Sequence, residues 1–530
     1  MFGERRNALA FWLGSAIVTV GVLLHIPMFW MGRNMGFRLV GMPVDTGMLA
    51  GMGLIIIGVL IAGYGLLPRN DRGNGQTGEI RMLVPPEDAP LGTPHWTLMA
   101  VLSAALIIDI MKPASLGFVT PGMRVEYGVS AATVSLLPLS ALIGTSVGSF
   151  IWGALADLYG RRASILLSSV MFIGTSICGA MPSLWWNVFM CFLMGAAAGG
   201  MLPVAYALLA ELMPTKHRGW SLVLVGGIGA VGGYFAASAL SSVLQPMFGW
   251  RIMWFLNLPT GLAMIALSPL LPESARFLQQ VGRLDEARAV FAKFGTVAVT
   301  TEIAEERDHD RVPLPVVTPE YVGTTLALTV VALTWSLVNF GLLLWLPSVL
   351  VAEGNSVGIT SAIIARSTLI AAPTILLATY LYSAWSTKGA LMGMTAVTAL
   401  GLITLLIRDT GAIEWLENPV LPLVLIIVGS TGVISMLLPY AAETYPTRIR
   451  GRATGWIAGW SKIGGLIAQS LSALALVPGI GISAGGIAVL SLLSFGLLAV
   501  FGRETRGRDL RQLEALTNEA ESDGLKRLQV

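Results

Sequence analysis

The sequence predicts an all-α polytopic membrane protein of fourteen spans, grouped two, six and six. Three observations predict it. Of 530 residues, 55% are hydrophobic and only 12% are charged, about half the charged share of a soluble chain. Apolar stretches of about 20 residues recur from end to end, each long enough to cross a ~30 Å hydrocarbon layer as a helix. A nine-residue pattern returns 232 residues after its first occurrence, so the later spans read as two copies of one unit. A mean hydropathy of +0.74 with 61 glycines excludes a soluble enzyme, a nucleic-acid binder and a disordered scaffold. The net charge of +3 is too small for a polyanionic partner. The two cysteines, Cys178 and Cys191, lie inside apolar stretches, so no disulfide framework, metal site or cofactor is expected.

In chain order, an accessory pair of spans comes first, at roughly 9–30 and 47–67. The charged start at Glu4-Arg5-Arg6 resembles a signal sequence, but the apolar run is too long and lacks a small-x-small cleavage site. A retained anchor is expected. Gly47-x-x-x-Gly51 suits close helix packing against the main body or a second copy, and His25 reads as an interfacial residue. A Pro/Gly-rich linker over about 68–95 follows. Six spans fill 96–271, near 97–120, 131–154, 163–182, 186–210, 220–243 and 251–271. A charged central loop covers 272–320, and six more spans fill 321–502, near 321–347, 361–384, 389–407, 420–440, 453–474 and 481–502. The tail is 503–530.

Basic residues orient the chain. With both termini cytosolic, the cytosolic segments hold 25 Lys and Arg, the external loops hold 5, and Lys112, Arg366 and Lys462 lie within spans. No Asn-x-Ser/Thr site occurs, in keeping with a bacterial inner (plasma) membrane.

The repeated pattern is E-x-x-P-T-x-x-R-G, read at Glu211–Gly219 and at Glu443–Gly451, and each copy is followed by a glycine pair, Gly232-Gly233 and Gly464-Gly465. Two six-helix units of the same hand suit a carrier that rocks around a midplane site. Three further motifs carry a family resemblance. Gly153-Ala-Leu-Ala-Asp157-Leu-Tyr-Gly160-Arg161-Arg162 resembles the loop signature of the major facilitator superfamily. Pro272-Glu273-Ser274-Ala-Arg276 with Gly282-Arg283-Leu-Asp-Glu286, and Glu504-Thr505-Arg506-Gly507-Arg508-x-Leu510, resemble the central-loop and terminal motifs of its sugar-porter branch. In the seventh family helix, Trp345-Leu-Pro347 is closer to aromatic-acid and other metabolite:proton symporters, and to synaptic-vesicle-glycoprotein-like carriers. The fifth lacks the Gly-Pro of drug antiporters.

The resemblance implies alternating access, with a gating lattice of Gly153, Asp157, Gly160, Arg161, Arg162, Glu211, Arg218, Glu273, Arg276, Glu443 and Arg450. In the second half Ser386-Thr-Lys388-Gly389 stands where the Asp signature would recur, so an asymmetric lattice is expected. Plain positive-inside signalling is the competing use of the arginines.

Ionisable residues inside spans are costly, so each is a functional candidate. Asp109 is the only mid-span carboxylate, in the helix where family symporters bind a proton. Lys112, one turn on, is expected to replace the Arg that the family places in the fourth helix, where this chain has Cys191; snorkelling outward is the alternative. Lys462, about nine residues into the eleventh family helix, suits a substrate anion. Arg366 sits about a turn inside its helix end, where binding competes with snorkelling. Asn339, Trp335, Trp460, Trp456, Tyr206 and Gln469 are at cavity depth.

Three embedded cations against one acid favour an anionic cargo. A proton-coupled symporter of a small organic anion, aromatic or other carboxylate, is therefore expected, in a lipid bilayer, with protons as co-substrate and as a monomer or weak homo-oligomer. No Gly-x-x-x-x-Gly-Lys loop is present, so a gradient must drive it. The alternatives are a proton-driven exporter of drugs or metabolites, a sugar:proton symporter, and a non-transporting receptor with the same fold.

Overall fold

Every predicted span is a helix in the computed structural model, which describes residues 5–66, 82–84, 90–295, 298–300, 321–413, 417–445 and 447–506. The accessory pair is α1 (Arg6–Met35) and α2 (Thr46–Leu66). The first six-helix unit is α3 (Thr93–Tyr127), α4 (Ala131–Tyr159), α5 (Arg161–Ala180), α6 (Leu184–Leu212), α7 (Lys216–Phe248) and α8 (Ile252–Leu270). Two short helices follow, α9 (Ala275–Gln280) and α10 (Leu284–Phe294). The second set of six is α11 (Val322–Ala352), α12 (Val357–Trp385), α13 (Thr387–Asp409), α14 (Val420–Thr444), α15 (Thr447–Ala473) and α16 (Ile480–Phe501). Thirteen of these helices, all but α9, α10 and α15, are long and apolar enough to cross a membrane. The fourteenth is α15, whose 27 residues reach ~40 Å; its glycines, tryptophans and Lys462 dilute its hydropathy without shortening it. The described helices thus form two sets of six long helices with two extra helices ahead of them. The helices overrun their predicted bounds because caps extend them into the loops. In α3, His95 Nδ1 accepts from the Gly92 amide (3.1 Å) at one end, and Gly128 at φ +62° closes the other.

One addition to the helical reading is a ribbon of β1 (Met82–Val84) and β2 (Ala298–Thr300), antiparallel, with Leu83 opposite Val299. It joins the linker to the central loop. Residues 68–81 and 85–89 of the linker, residues 296–297 and 301–320 of the central loop, and Gly507, Arg508 and Leu510 of the terminal motif lie outside the described residues. In the central loop α9 and α10 are amphipathic and bury Ala275, Leu278, Ala287 and Phe291 against each other.

The chain divides into two compact units. The first is Met1–Ala304 with Leu343–Leu369 and Leu466–Val477; the second is Glu305–Leu342, Ile370–Gly465 and Pro478–Val530. In the first, α3 lies along α7 and α4 along α6. Leu344 packs on Gly117, Ser241 shares a hydrogen bond with Ser361 (2.7 Å), and Ser135 one with Ser472 (2.6 Å). In the second, α13 packs between α14 and α16. Two of the split helices are irregular near their division, α11 at a π-helical stretch, Val338–Leu342, and α12 at 372–373, beside Pro373, while α15 stays helical through Gly464-Gly465.

The accessory helices pack on each other through glycines seven residues apart, Gly14 and Gly21 on α1 against Gly51 and Gly58 on α2. A Cβ on Gly58 would stand 2.7 Å from the Gly14 carbonyl, so side chains are excluded and the backbones meet. Gly47 of the expected motif faces only Asp45 and takes no part. His25 is fully buried, with Nδ1 2.8 Å from the Gly21 carbonyl and its ring pressed on Gly51. The pair lies against α5. Its connecting loop is fixed by stacked Phe29 and Phe37 (4.8 Å), which meet Phe255 and Phe248.

Candidate functional site

Asp109 and Lys112 are both buried in the first unit, 7% and 2% exposed. They share a face of α3 because they are three residues apart. Pro113 follows them, and having no N–H it leaves the Asp109 carbonyl without its helical donor. The expected closure of Lys112 onto Asp109 is not what the side chain does. Its Nζ turns to α5 and stands 2.7 Å from the centre of the Phe172 ring, with no hydrogen-bond acceptor. A ring face offers a desolvated cation about 2 kcal/mol or more, less than an acceptor would supply at full burial. Asp109 acts on Lys112 through space. Snorkelling is ruled out by the burial. Cys191 is fully buried.

The second unit gathers other predicted residues. Lys462 on α15 has its Nζ 5.3 Å from the Phe340 ring, and Phe340 meets Trp335 edge-on at 5.6 Å. Trp456 and Trp460 pair at 5.9 Å, and Trp456 Nε1 donates to Thr329 Oγ1 (3.0 Å). Asn339 lies within the π-helical stretch, where Nδ2 donates to the Trp335 carbonyl (3.0 Å). A π turn disrupts the i→i+4 ladder, and the amide supplies a donor there. In the first unit, Tyr206 lays its hydroxyl against Gly226, Gln469 is fully buried and Arg366 is exposed on α12.

At the end of the bundle bearing the signature, the first unit holds a charged lattice. Arg161 is 3.4 Å from both Asp157 and Glu211, and Ser274 donates to Glu211. Glu273 caps the start of α5, accepting from the Arg162 amide (3.2 Å). Gly160 is required there: its φ is +102°, and a Cβ would meet the Glu273 carboxylate at 2.5 Å. Burial pushes the Glu273 carboxyl above the ordinary range, against the pull of those amides. Arg162 donates to the Ser268 carbonyl. Gly153 faces open space and Arg276 is exposed.

The second unit repeats this arrangement with different partners. Thr505 donates to Glu443 (2.9 Å) as Ser274 does to Glu211, and Tyr382 supplies the second donor (2.8 Å), where the first unit uses Arg161. Arg450 acts on Glu443 through space; Arg218, its repeat partner in the first unit, is half-buried. Glu504 caps the start of α13, accepting from Ser386, the Thr387 amide (3.0 Å) and the Thr387 hydroxyl (2.6 Å). Glu504 is thus the repeat of Glu273, 231 residues on, one short of the 232 that separates the two Glu-x-x-Pro copies.

Burial works against the Glu504 charge, but Ser386 and Thr387 outweigh it and hold the carboxyl down at about 2. An unfolded Glu titrates near 4.3, so the folded value is depressed. The stabilisation is full above about pH 4.3 and fades as pH falls through about 2. A melting series over pH 2–7 is expected to show this acid loss in the wild type and a smaller one in Glu504→Gln.

A second residue pair escaped sequence reasoning. Arg251 is fully buried and sits 2.7 Å from Glu126 at the far end of α3. Glu126 also accepts from Trp250 Nε1 (2.7 Å) and from the Leu39 amide (2.8 Å) in the accessory loop. Arg251 counts as a loop residue by position, and no local pattern marks its partner 125 residues away.

The family model for the Major Facilitator Superfamily matches residues 100–469. The chain is 25% identical over 442 residues to the niacin transporter NiaP of Acinetobacter baylyi, covering 81% of this chain and 98% of that protein. It is 24% identical over 409 residues to the benzoate transport protein of the same organism, covering 73% and 84%. Among solved structures, the proton:xylose symporter XylE superposes with a TM-score of 0.64 at 18% identity, over 80% of this chain and 98% of that one.

Proposed function

The chain belongs to the Major Facilitator Superfamily, a family of transporters and not of enzymes, and on that premise we propose that it is a secondary symporter carrying a small aromatic carboxylate together with a proton. The observation that carries the reading is the embedded charge: one mid-span carboxylate, Asp109, against two mid-span cations, Lys112 and Lys462. Niacin and benzoate, named in two similar transporters, are both aromatic carboxylic acids. Lys462 beside Phe340, with Trp335 at that ring's edge, offers a cation and π surfaces together.

In this reading Asp109 takes a proton from outside and crosses as the neutral acid, which costs far less in a dry interior than the carboxylate. Lys462 holds the cargo's carboxylate while its ring stacks among the aromatic side chains. The lattice of Asp157, Arg161, Arg162, Glu211 and Glu273, with Glu443 and Glu504 in the second unit, closes the cytosolic gate and parts when the carrier turns inward. Asp157 is 76% exposed, so its pair with Arg161 contributes about 0–1 kcal/mol and does not lock the gate. Both termini face the cytosol of a bacterial inner membrane, following the excess of Lys and Arg in the loops of that side.

The test is a thermal-shift screen on the purified protein. Aromatic carboxylates are expected to raise the melting temperature, and Lys462→Gln to remove the shift. The likeness to XylE favours a sugar:proton symporter as second reading; stabilisation by neutral sugars and not by acids would select it. Flux outward under an imposed pH gradient would select the exporter, and binding with zero flux in vesicles the receptor.

A further inference from the structure

The second unit holds a small, partly open cavity lined by Val331, Thr334, Trp335, Thr395, Thr398, Ser430, Val433, Ser491 and Ser494, from α11, α13, α14 and α16. About 10 Å³ is open to the centre of a water molecule, the least room that admits one. Three polar atoms on this lining are buried without a partner: Trp335 Nε1, Ser430 Oγ and Ser491 Oγ. The other hydroxyls are spoken for as donors but retain acceptor lone pairs. Thr395 Oγ1 donates to the Leu391 carbonyl and Thr398 Oγ1 to that of Met394 (both 2.9 Å), and Thr334 and Ser494 share a hydrogen bond (3.1 Å).

We propose that this cavity is a binding site for one ordered water, which ties α11, α13, α14 and α16 together and fixes the indole of Trp335. The chemistry of the lining selects the occupant. A buried indole N–H needs an acceptor, and two free hydroxyls need a partner that both gives and takes; water does both. A cation is disfavoured because no carboxylate is present and the N–H would repel it. An organic ligand does not fit the volume. Three orphaned polar groups at this depth would be expensive, and one water with three or four partners removes that cost. Trp335 then acts as a positioning residue for α11. Its carbonyl is held by Asn339 across the π-helical stretch and its N–H by the water, so the irregular turn is pinned on both sides.

The experiment is a double-mutant cycle on the purified full chain, read by melting temperature, with Ser491→Val filling the cavity and Trp335→Phe removing the N–H. Ser491→Val alone is expected to lower the melting temperature by about 3 °C, the scale of one lost buried polar site in a chain of this size. In the Trp335→Phe background the same change is expected to cost much less, because no donor is then left stranded. A rise in melting temperature on Ser491→Val would mean a dry packing gap and overturn the proposal, as would strict additivity of the two changes. A density map at about 2 Å decides the case independently of folding yield. A peak within hydrogen-bond reach of Trp335 Nε1 supports the site, and an empty cavity removes it.

Discussion

Asp109→Asn is expected to reduce uptake against a gradient to the level of passive leak, while leaving exchange of cargo at equal concentrations in place. Asparagine keeps the size and hydrogen-bonding reach of the side chain but cannot load and release a proton. In reconstituted vesicles with an imposed pH gradient, the wild type should accumulate cargo and the variant should only equilibrate it. The reason to expect an all-or-none effect lies in the inventory of the spans. No second mid-span carboxylate exists to take over, and Lys112, turned onto Phe172, holds no acceptor to pass a proton to. Accumulation that survives in Asp109→Asn would move the coupling site elsewhere and leave the fold untouched.

The largest effect on stability is expected from Glu126→Ala. Its carboxylate meets Arg251, Trp250 and the Leu39 amide at 2.7–2.8 Å. Removing it leaves Arg251, 0% exposed, as a buried charge without its counter-ion. Breaking one side of such a pair costs about 3–5 kcal/mol. The Met181 carbonyl (2.7 Å) and the Trp250 ring (4.4 Å from the guanidinium) soften the loss without cancelling the charge. Two measurements separate this from general weakening. The melting temperature should fall sharply in Glu126→Ala and far less in Glu126→Leu/Arg251→Met, where neither charge remains. Hydrogen exchange at Leu39 should speed up in Glu126→Ala, because its acceptor is gone. Unchanged exchange at that amide would show that the aromatic contacts of Phe29 and Phe37 hold the accessory loop unaided.

The fold and the candidate site were legible to different depths. Fourteen spans, the six-plus-six repeat and the membrane class follow from hydropathy and spacing, which are local along the chain. The glycines at 14, 21, 51 and 58 recur at a spacing of seven in each accessory helix, but only packing shows that this period, and not Gly47-x-x-x-Gly51, makes the contact. The direction of Lys112 was not legible. One turn of helix puts it beside Asp109, yet Phe172, on another helix, offers the surface it rests on. Likewise nothing near Glu443 announces Tyr382 as its donor, and nothing near Ser430 or Ser491 announces a shared cavity with Trp335.

The sequence by itself determined which segments are apolar enough to cross a membrane, that one motif recurs in both halves, and which few ionisable groups lie within those segments. The tertiary structure alone decided what each group touches: Arg251 with Glu126, Glu504 on α13, Lys112 on a ring. The physical reason is that crossing a bilayer depends on summed transfer energies over ~20 adjacent residues. A hydrogen bond or ion pair depends on two atoms coming within about 3 Å, and which residues meet at that range is set by helix packing between segments far apart in the chain.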